Sequence, residues 1–322
     1  MGSFSYMMSP NQAQSSRGLY RFAVATSWCT VLLLMAGALV TNNNAGDSVP
    51  DWPLAYGRAI PPFVDGIRFE YAHRVIAGLV AVLTLILAVW VVRAERRPVA
   101  RHLSWSAFAL VIAQAALGGF RVLAGYPDLS ATAHATVAQI FFVMLVGLSI
   151  YLSPWWQSDQ PQLDDSGAPP ARYLTVWTTA AILVQIVLGA AFRHGALGIV
   201  PHLVGAGVVT TLVVWTGRAV KNRFRQDRDL RRGVALLHSF FGIQLLLGGA
   251  AWWEMRQVWD AVQSAPLYVL LTVAHVLGGA LTLASSVLLT MYCFRLIRPA
   301  AALAAGSPVG SSSKGSPQQA GV

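Results

Sequence analysis

Four histidines lie near the same end of four different apolar segments of the sequence: His73, His134, His202 and His275. An imidazole inside a membrane is costly unless it has a partner, so it marks a functional site by default. Two of these histidines fall in each half of the chain. The pattern predicts two sites, each with a metal centre held between side chains of facing helices.

The composition indicates an integral membrane protein. Of the 322 residues, 55% are hydrophobic and only 11% are charged, whereas a soluble domain carries roughly 25% charged residues. Each predicted span has about 20 residues or more, which is enough to cross a hydrocarbon core of ~30 Å. We predict eight spans, at residues 19–41, 68–92, 103–124, 129–153, 173–193, 199–219, 232–253 and 267–294.

The charge distribution predicts how the spans are oriented. The net charge is +10, but most basic residues lie near the termini or in loops that follow even-numbered spans, which is a membrane pattern and not a nucleic-acid one. By the positive-inside rule, this side is cytoplasmic. We therefore predict a multi-pass protein of a bacterial-type plasma membrane with both termini cytoplasmic, the histidine sites toward the outer face, and no nucleic-acid partner.

The two halves of the chain resemble each other. The segment from Gln114 to Gly119 in the third span matches that from Gln244 to Gly249 in the seventh, and the fifth span carries a third copy from Gln185 to Gly189. The histidines recur at similar spacing. Such self-similarity indicates repeated units. It predicts an all-α membrane protein whose eight transmembrane helices form two pseudo-symmetric four-helix bundles. The glycines suit either close helix packing or the approach of a flat ring, and both interpretations stay open.

A proline- and aspartate-rich segment separates the two halves. We expect the following organisation: a disordered N-terminus at 1–18, an N-terminal bundle at 19–153, a cytoplasmic linker at 154–172, a C-terminal bundle at 173–296 and a disordered tail at 297–322.

Haem is the metal group that suits these histidines best. Two imidazoles from opposite helices can hold one iron axially, which assigns His73 with His134 and His202 with His275 as metal ligands. A di-iron site needs several inward carboxylates, and the spans offer one near the histidines, Glu70. A zinc site favours four clustered ligands, which the sequence does not suggest.

Glu70 distinguishes the first site from the second. It lies three residues before His73, on the same helix face, and the segment before His202 has no acid at the matching position. A carboxylate near a haem edge can move protons during an oxidation. The alternative is that Glu70 only pairs with Arg68 or Arg74.

Three arginines on the outer side are candidates for binding the anionic haem propionates: Arg74, Arg121 and Arg193. The guanidinium fork matches a carboxylate well. The alternative is that these side chains extend to lipid headgroups. The two cysteines, Cys29 and Cys293, fall inside spans, and we expect them to be small apolar fillers.

The first outer loop, at about 42–67, contains Pro50-Asp51-Trp52-Pro53. Two prolines and a tryptophan make it stiff, and tryptophan favours the membrane interface. The loop either covers the first site or serves as an interfacial anchor.

Together these residues resemble the haem A synthase family, membrane enzymes that convert haem O to haem A. The similarity covers about 19–295. It rests on Pro50 to Pro53, on Glu70-Tyr-Ala-His73-Arg74, on Gln114 to Arg121, and on the remaining histidines, His134, His202 and His275. Many members have a cysteine pair in the first outer loop, and this chain has none there. Any mechanism that needs this pair is therefore in doubt.

The resemblance implies that the N-terminal bundle binds the haem being modified beside His73 and His134, with Glu70 as catalytic acid. It implies haem b between His202 and His275. The reaction would oxidise the C8 methyl of haem O to the formyl of haem A by successive hydroxylations with water-derived oxygen, for aa3-type terminal oxidases. Haem O synthase, an unidentified electron acceptor and a second copy of the chain are candidate partners.

Two other functions use the same histidines. A di-haem cytochrome b that carries electrons from quinol would bind both haems permanently, and Glu70 would be incidental. A haem transporter would use a bundle as a pocket. The identity of the bound haems separates these alternatives.

Overall fold

A computed structural model describes residues 10–124, 128–258 and 265–298, and the regular elements in these ranges are helices. Eight of them are long and apolar enough to cross a membrane. This part of the chain is therefore an all-α, multi-pass integral membrane protein, which confirms the predicted fold class. The long helices are α1 (Pro10–Asn42), α2 (Asp65–Ala94), α3 (Pro98–Ala124), α4 (Asp128–Leu152), α6 (Ala171–Arg193), α7 (Ile199–Arg223), α8 (Arg228–Gln257) and α9 (Pro266–Leu296), and the short α5 is Pro154–Gln157.

The long helices match the eight predicted spans, with one larger difference at the start of the first. The helix α1 begins at Pro10, within the segment that we predicted to be disordered. That stretch is polar, so hydropathy gives no signal for a helix there. The rest of the predicted terminal segments, at 1–9 and 299–322, lies outside the described residues.

The helices of each half pack in a ring. The helix α1 packs on α2 and α4, and α3 packs on the same two. In the second half, α6 packs on α7 and α9, and α8 packs on the same two. The halves meet through α1, α4, α6 and α9. This packing places α2 across a ring from α4, and α7 across a ring from α9. The pseudo-symmetry of the two bundles stays a prediction.

Apolar packing and a few buried hydroxyls hold the rings together. Separate apolar clusters fill the N-terminal and C-terminal halves, and a small one around Leu34, Phe142 and Ala280 joins them. Ser27 contacts Ser149 at 3.2 Å, and Thr178 contacts Thr216 at 2.7 Å. Hydrogen bonds of this kind stabilise helix pairs in lipid.

The linker between the halves is fastened to the second ring. The buried carboxylate of Asp165 accepts hydrogen bonds from the backbone N–H groups of Gly167 (3.0 Å) and Ala171 (2.6 Å). It also pairs with the Arg223 guanidinium at 3.3 Å. The backbone of Leu163 bonds to α9 through Leu296 O at 2.7 Å.

Candidate functional site

The structure brings the four histidines together as two pairs. His73 of α2 faces His134 of α4, with ring centroids 6.5 Å apart and an interplanar angle of 73°. His202 of α7 faces His275 of α9, with centroids 6.3 Å apart and an angle of 80°. Each pair thus spans one ring of helices, and the two pairs have nearly the same geometry.

The spacing within each pair fits a single metal ion between two imidazoles. Metal–nitrogen bonds of about 2 Å on opposite sides of one ion place the ring centroids roughly 6 Å apart. Among the residues that the structure describes, no three His, Cys, Asp or Glu side chains form a metal-binding group. A donor set of two imidazoles suits an iron whose other positions are filled by a porphyrin.

Several imidazole nitrogens are buried without a hydrogen-bond partner. These are the Nδ1 atoms of His73, His134 and His275. Buried polar atoms are nearly always satisfied in proteins, so each exception requires an explanation. Binding of a metal to the imidazoles is one such explanation, and on this test the two pairs fit haem.

Each imidazole also rests on a glycine of the preceding long helix. A Cβ at that position would overlap the histidine ring at Gly189 and Gly248 and would crowd it at Gly37 and Gly118, so the absence of a Cβ lets the ring lie close to the backbone. The distances from an ideal Cβ to the histidine Cε1 are 3.2 Å for Gly37 with His73, 3.0 Å for Gly118 with His134, 2.9 Å for Gly189 with His202, and 2.8 Å for Gly248 with His275.

These contacts refine the sequence interpretation of the glycines. Gly118, Gly189 and Gly248 belong to the motif that left helix packing and ring approach open, and the ring that approaches them is an imidazole. The sequence did not identify Gly37 as an equivalent position, because the first span lacks the glutamine that precedes the glycine in the third, fifth and seventh spans.

Glu70 is buried, with 4% of its surface exposed. Its Oε1 pairs with the Arg74 guanidinium at 2.6 Å, and its Oε2 accepts from the backbone N–H of Val49 at 2.9 Å. Arg74 also donates to the carbonyl oxygens of Asp51 (2.7 Å) and Leu54 (2.8 Å). The two side chains therefore fasten the loop between α1 and α2 to the N-terminal end of α2.

The loop reaches across to α3 as well. The indole of Trp52 lies on Gly119, where an ideal Cβ would be 2.6 Å from Trp52 Cδ2. Arg121 Nη1 donates to Gly46 O at 3.2 Å. Because Gly119 follows the glycine that seats His134, these contacts put the loop beside the first histidine pair.

One carboxylate holds the loop's own turn. Asp51 accepts from the backbone N–H groups of Gly57 at 2.7 Å and Tyr56 at 2.6 Å. These bonds, the one from Gly57 first, hold the pKa of the Asp51 carboxyl below its usual range.

The other two arginine candidates contact the end of α1 and the loop that follows it. Arg193 Nη2, at the end of α6, donates to Thr41 O at 3.1 Å and to Asn42 Oδ1 at 2.9 Å. Arg121 is 3.7 Å from the exposed carboxylate of Asp47. The Nε atoms of Arg121 and Arg193 are buried without a partner. The assignment of these arginines to propionates stays a prediction.

The remaining sulfur and imidazole groups lie away from the pairs or at their edge. Cys29 and Cys293 are free thiols on α1 and α9. His102 lies near the start of α3, and His238 Nδ1 is 2.8 Å from Val234 O within α8. His194 caps the end of α6.

These observations define a class of protein: a helical membrane protein with eight candidate spans in its described residues, two facing histidine pairs, and a loop between α1 and α2 that is fastened beside one of the pairs. The chain belongs to the COX15-CtaA family, described as cytochrome oxidase assembly protein, whose profile matches residues 66–291. The resemblance to the haem A synthase family is thereby confirmed.

The chain is also similar to individual bacterial proteins. It is 28% identical over 293 residues to a protein named Heme A synthase from Shouchella clausii, covering 87% of this chain and 92% of the relative. A protein of the same name from Symbiobacterium thermophilum is 26% identical over 263 residues, covering 72% and 85%.

Proposed function

We propose that this protein is a haem A synthase. It oxidises the C8 methyl of haem O to a formyl group by successive hydroxylations with water-derived oxygen, for aa3-type terminal oxidases. The family and the relatives named Heme A synthase support a role in haem A biosynthesis. One structural observation supports the assignment of sites: both halves pair two histidines, but among residues 10–124, 128–258 and 265–298 it is the first pair that lies beside a buried carboxylate and a fastened loop.

In this proposal the N-terminal pair, His73 and His134, binds the iron of the substrate haem. Each oxidation step removes electrons and protons from the methyl carbon, so the reaction needs a proton acceptor and an electron acceptor. Glu70 is the proton acceptor, and a positioned carboxylate in this role contributes about 10²–10⁴-fold in rate. Its bond to Arg74 holds it at the outer end of α2.

The C-terminal pair, His202 and His275, holds haem b, which supplies one-electron redox chemistry when bound. Arg121 and Arg193 bind propionates, and their buried, unpartnered Nε atoms support this role. The sequence also assigned Arg74 to a propionate. Its hydrogen bonds to two loop carbonyls give it a second role, which is to position the loop beside the substrate.

The surroundings of the enzyme follow from the charge pattern and the reaction. Both termini are cytoplasmic and the haem sites lie toward the outer face. Haem O synthase supplies the substrate, a separate electron acceptor removes the electrons, and a homo-oligomer is a further candidate assembly.

The test is production of haem A in a bacterial host that makes haem O but lacks its own haem A synthase. We expect extracted haems to contain haem A when this chain is expressed, and the purified protein to carry haem b. If the protein instead carries haem b at two per chain and no haem A forms, the di-haem electron carrier is the correct function.

A further inference from the structure

A groove of about 180 Å³ lies between the loop that joins α1 to α2 and the N-terminal part of α2. Its α2 wall consists of Tyr71, Arg74 and Val75, and the loop forms the other wall. Two hydrogen bonds tie the walls together. Tyr71 Oη donates to Ala59 O at 2.9 Å, and Arg74 Nη1 donates to Leu54 O at 2.8 Å. The groove is therefore a built feature of the loop and the helix.

The groove faces away from the first histidine pair. Tyr71 and Val75 each lie two positions from His73, which places them about 160° around the helix from that imidazole. Val75 is 52% exposed. The face of α2 that carries it continues through further exposed apolar residues, Leu79, Val82 and Ile86. The groove thus opens toward the lipid, at the top of an apolar stripe on α2.

The position of the stripe gives the depth of the groove in the membrane. Exposed apolar side chains on α2 begin at Val75 and end at Val92. The helical rise of 1.5 Å per residue separates these two residues by roughly 26 Å, close to the ~30 Å thickness of a hydrocarbon core. Val75 therefore marks one edge of the core. Tyr71, one turn farther out, lies at the level of the lipid headgroups, where tyrosine is enriched.

A tight turn of the loop presents Arg58 at this level. The backbones of Ala55 and Arg58 exchange two hydrogen bonds, at 3.0 and 3.1 Å. The residues between them, Tyr56 and Gly57, have φ angles of 54° and 67°, as a two-residue hairpin turn requires. The Asp51 carboxylate accepts from the N–H groups of both. The turn therefore fixes the backbone of Arg58, whose exposed side chain lines the groove.

The charges at the groove favour an anion. Its described lining includes two guanidinium groups and no carboxylate. Arg74 is already paired with Glu70. Among the ion pairs of the described residues, none involves Arg58. A guanidinium at headgroup depth is a good partner for phosphate oxygens, and the described lining offers no acid for the ammonium of a zwitterionic headgroup.

We propose that this groove binds one phospholipid with an anionic headgroup, whose phosphate lies at Arg58 and whose acyl chains follow Val75, Leu79 and Val82 along α2. The lipid contacts both walls, so it holds the loop against the helix. It comes from the leaflet on the side of the loop, which is the outer one by the positive-inside rule. This binding does not depend on which reaction the protein catalyses.

The first experiment removes the cation. Native mass spectrometry of the purified protein, titrated with phosphatidylglycerol or with phosphatidylcholine of the same chains, counts the bound lipids. We expect the wild type to bind one phosphatidylglycerol about fivefold more tightly than phosphatidylcholine, and Arg58→Gln to lose that preference. The control is Arg256→Gln, because this arginine is also exposed and lies near the end of α8 on the same predicted side. It should match the wild type.

The second experiment fills the groove. Val75→Trp puts an indole where the lipid would lie. The control is Val204→Trp, because Val204 follows His202 by two residues, as Val75 follows His73, and is 63% exposed. We expect Val75→Trp to bind less phosphatidylglycerol and Val204→Trp to match the wild type. Hydrogen exchange at Ala55 and Arg58 should be slower in phosphatidylglycerol nanodiscs than in phosphatidylcholine ones, except in Val75→Trp.

Three results would overturn the proposal. Equal affinity of the wild type for the two lipids, or equal lipid binding by Arg58→Gln and Arg256→Gln, would show that only bulk bilayer lipid contacts the groove. Equal binding by Val75→Trp and Val204→Trp would place the lipid elsewhere. Loop exchange in the wild type that is the same in both kinds of nanodisc would show that the lipid does not hold the loop.

Discussion

Trp52 of the outer loop packs on Gly119 of α3, so that an ideal Cβ at this glycine would be 2.6 Å from the indole. The preceding residue, Gly118, seats the ring of His134. Adjacent glycines of one helix thus contact the loop and a histidine of the first pair. The loop and the first histidine pair are therefore mechanically connected through a single turn of α3.

Gly119→Ala should displace Trp52 and loosen the loop over the first site. We expect lower haem O retention and reduced haem A formation, with haem b content unchanged. The matched control is Gly249→Ala, which occupies the same place in the repeat of the second half and meets nothing within 4 Å. Haem O retention that is the same in both variants would show that the loop does not cover the substrate.

Glu70→Gln separates the two roles that the carboxylate can have. The single amide oxygen can accept from the N–H of Val49 or from Arg74 but not from both, so the loop should be partly fastened, and the group can no longer take a proton. We expect haem A formation to fall by about 10²-fold or more, with haem b bound normally. Haem analysis after timed expression measures the result.

Glu70→Ala provides the comparison for this prediction. It leaves the mostly buried Arg74 without its carboxylate, which is strongly destabilising where an ion pair is buried. Loop protection in hydrogen exchange should therefore fall further in Glu70→Ala than in Glu70→Gln, which keeps one acceptor oxygen. A fully active Glu70→Gln would remove Glu70 from the chemistry and leave it a fastening role.

The loop turn at Asp51 should depend on pH. The folded-state pKa of Asp51 is lowered, by the N–H of Gly57 first and then that of Tyr56. The stabilisation is therefore complete above the ordinary aspartate range and is lost as pH falls through the folded-state value. Asp51→Asn should expose the amides of Tyr56 and Gly57 to faster hydrogen exchange at neutral pH. Its exchange should also show no acid transition at this turn, whereas the wild type should show one.

The linker contact at Asp165 should contribute to stability and not to chemistry. Asp165→Ala removes the acceptor of two backbone N–H groups and the partner of Arg223. Leaving buried donors unsatisfied costs about 1–3 kcal/mol, which corresponds to a fall in Tm of several degrees. Asp164→Ala is the control, because that carboxylate is exposed and its ion pair with Arg298 is weak at 4.0 Å. Equal Tm values for the two variants would contradict the fastening role.

Hydropathy and charge were enough to predict the eight spans, because a membrane sets both the length of a helix and the loops that carry arginine. The same approach did not predict that α1 begins at Pro10, because the sequence there is polar and has no periodic pattern of apolar residues. The glycine under His73 was also missed. Contacts between helices depend on how each helix is rotated, and hydropathy does not report rotation.

The contacts of charged residues in the loop between α1 and α2 were also not predictable from the sequence. Arg74 was assigned to a propionate from its position alone, and pairing with Glu70 was left as an alternative for the acid. The structure has Arg74 bonded to Glu70 and to two loop carbonyls at once. The bonds from Arg74 to the loop join residues about twenty positions apart in the sequence. They depend on the path of an irregular loop, and sequence periodicity predicts helices and strands but not such a path.

The most direct measurement of the central claim is the haem content of purified His202→Met, with His102→Met as control. His102 lies near the other end of the membrane, away from both pairs. If paired imidazoles hold iron porphyrin in each half, His202→Met should retain less haem b than the wild type and still bind haem O, and His102→Met should retain both. Equal haem b in the two variants would contradict the account.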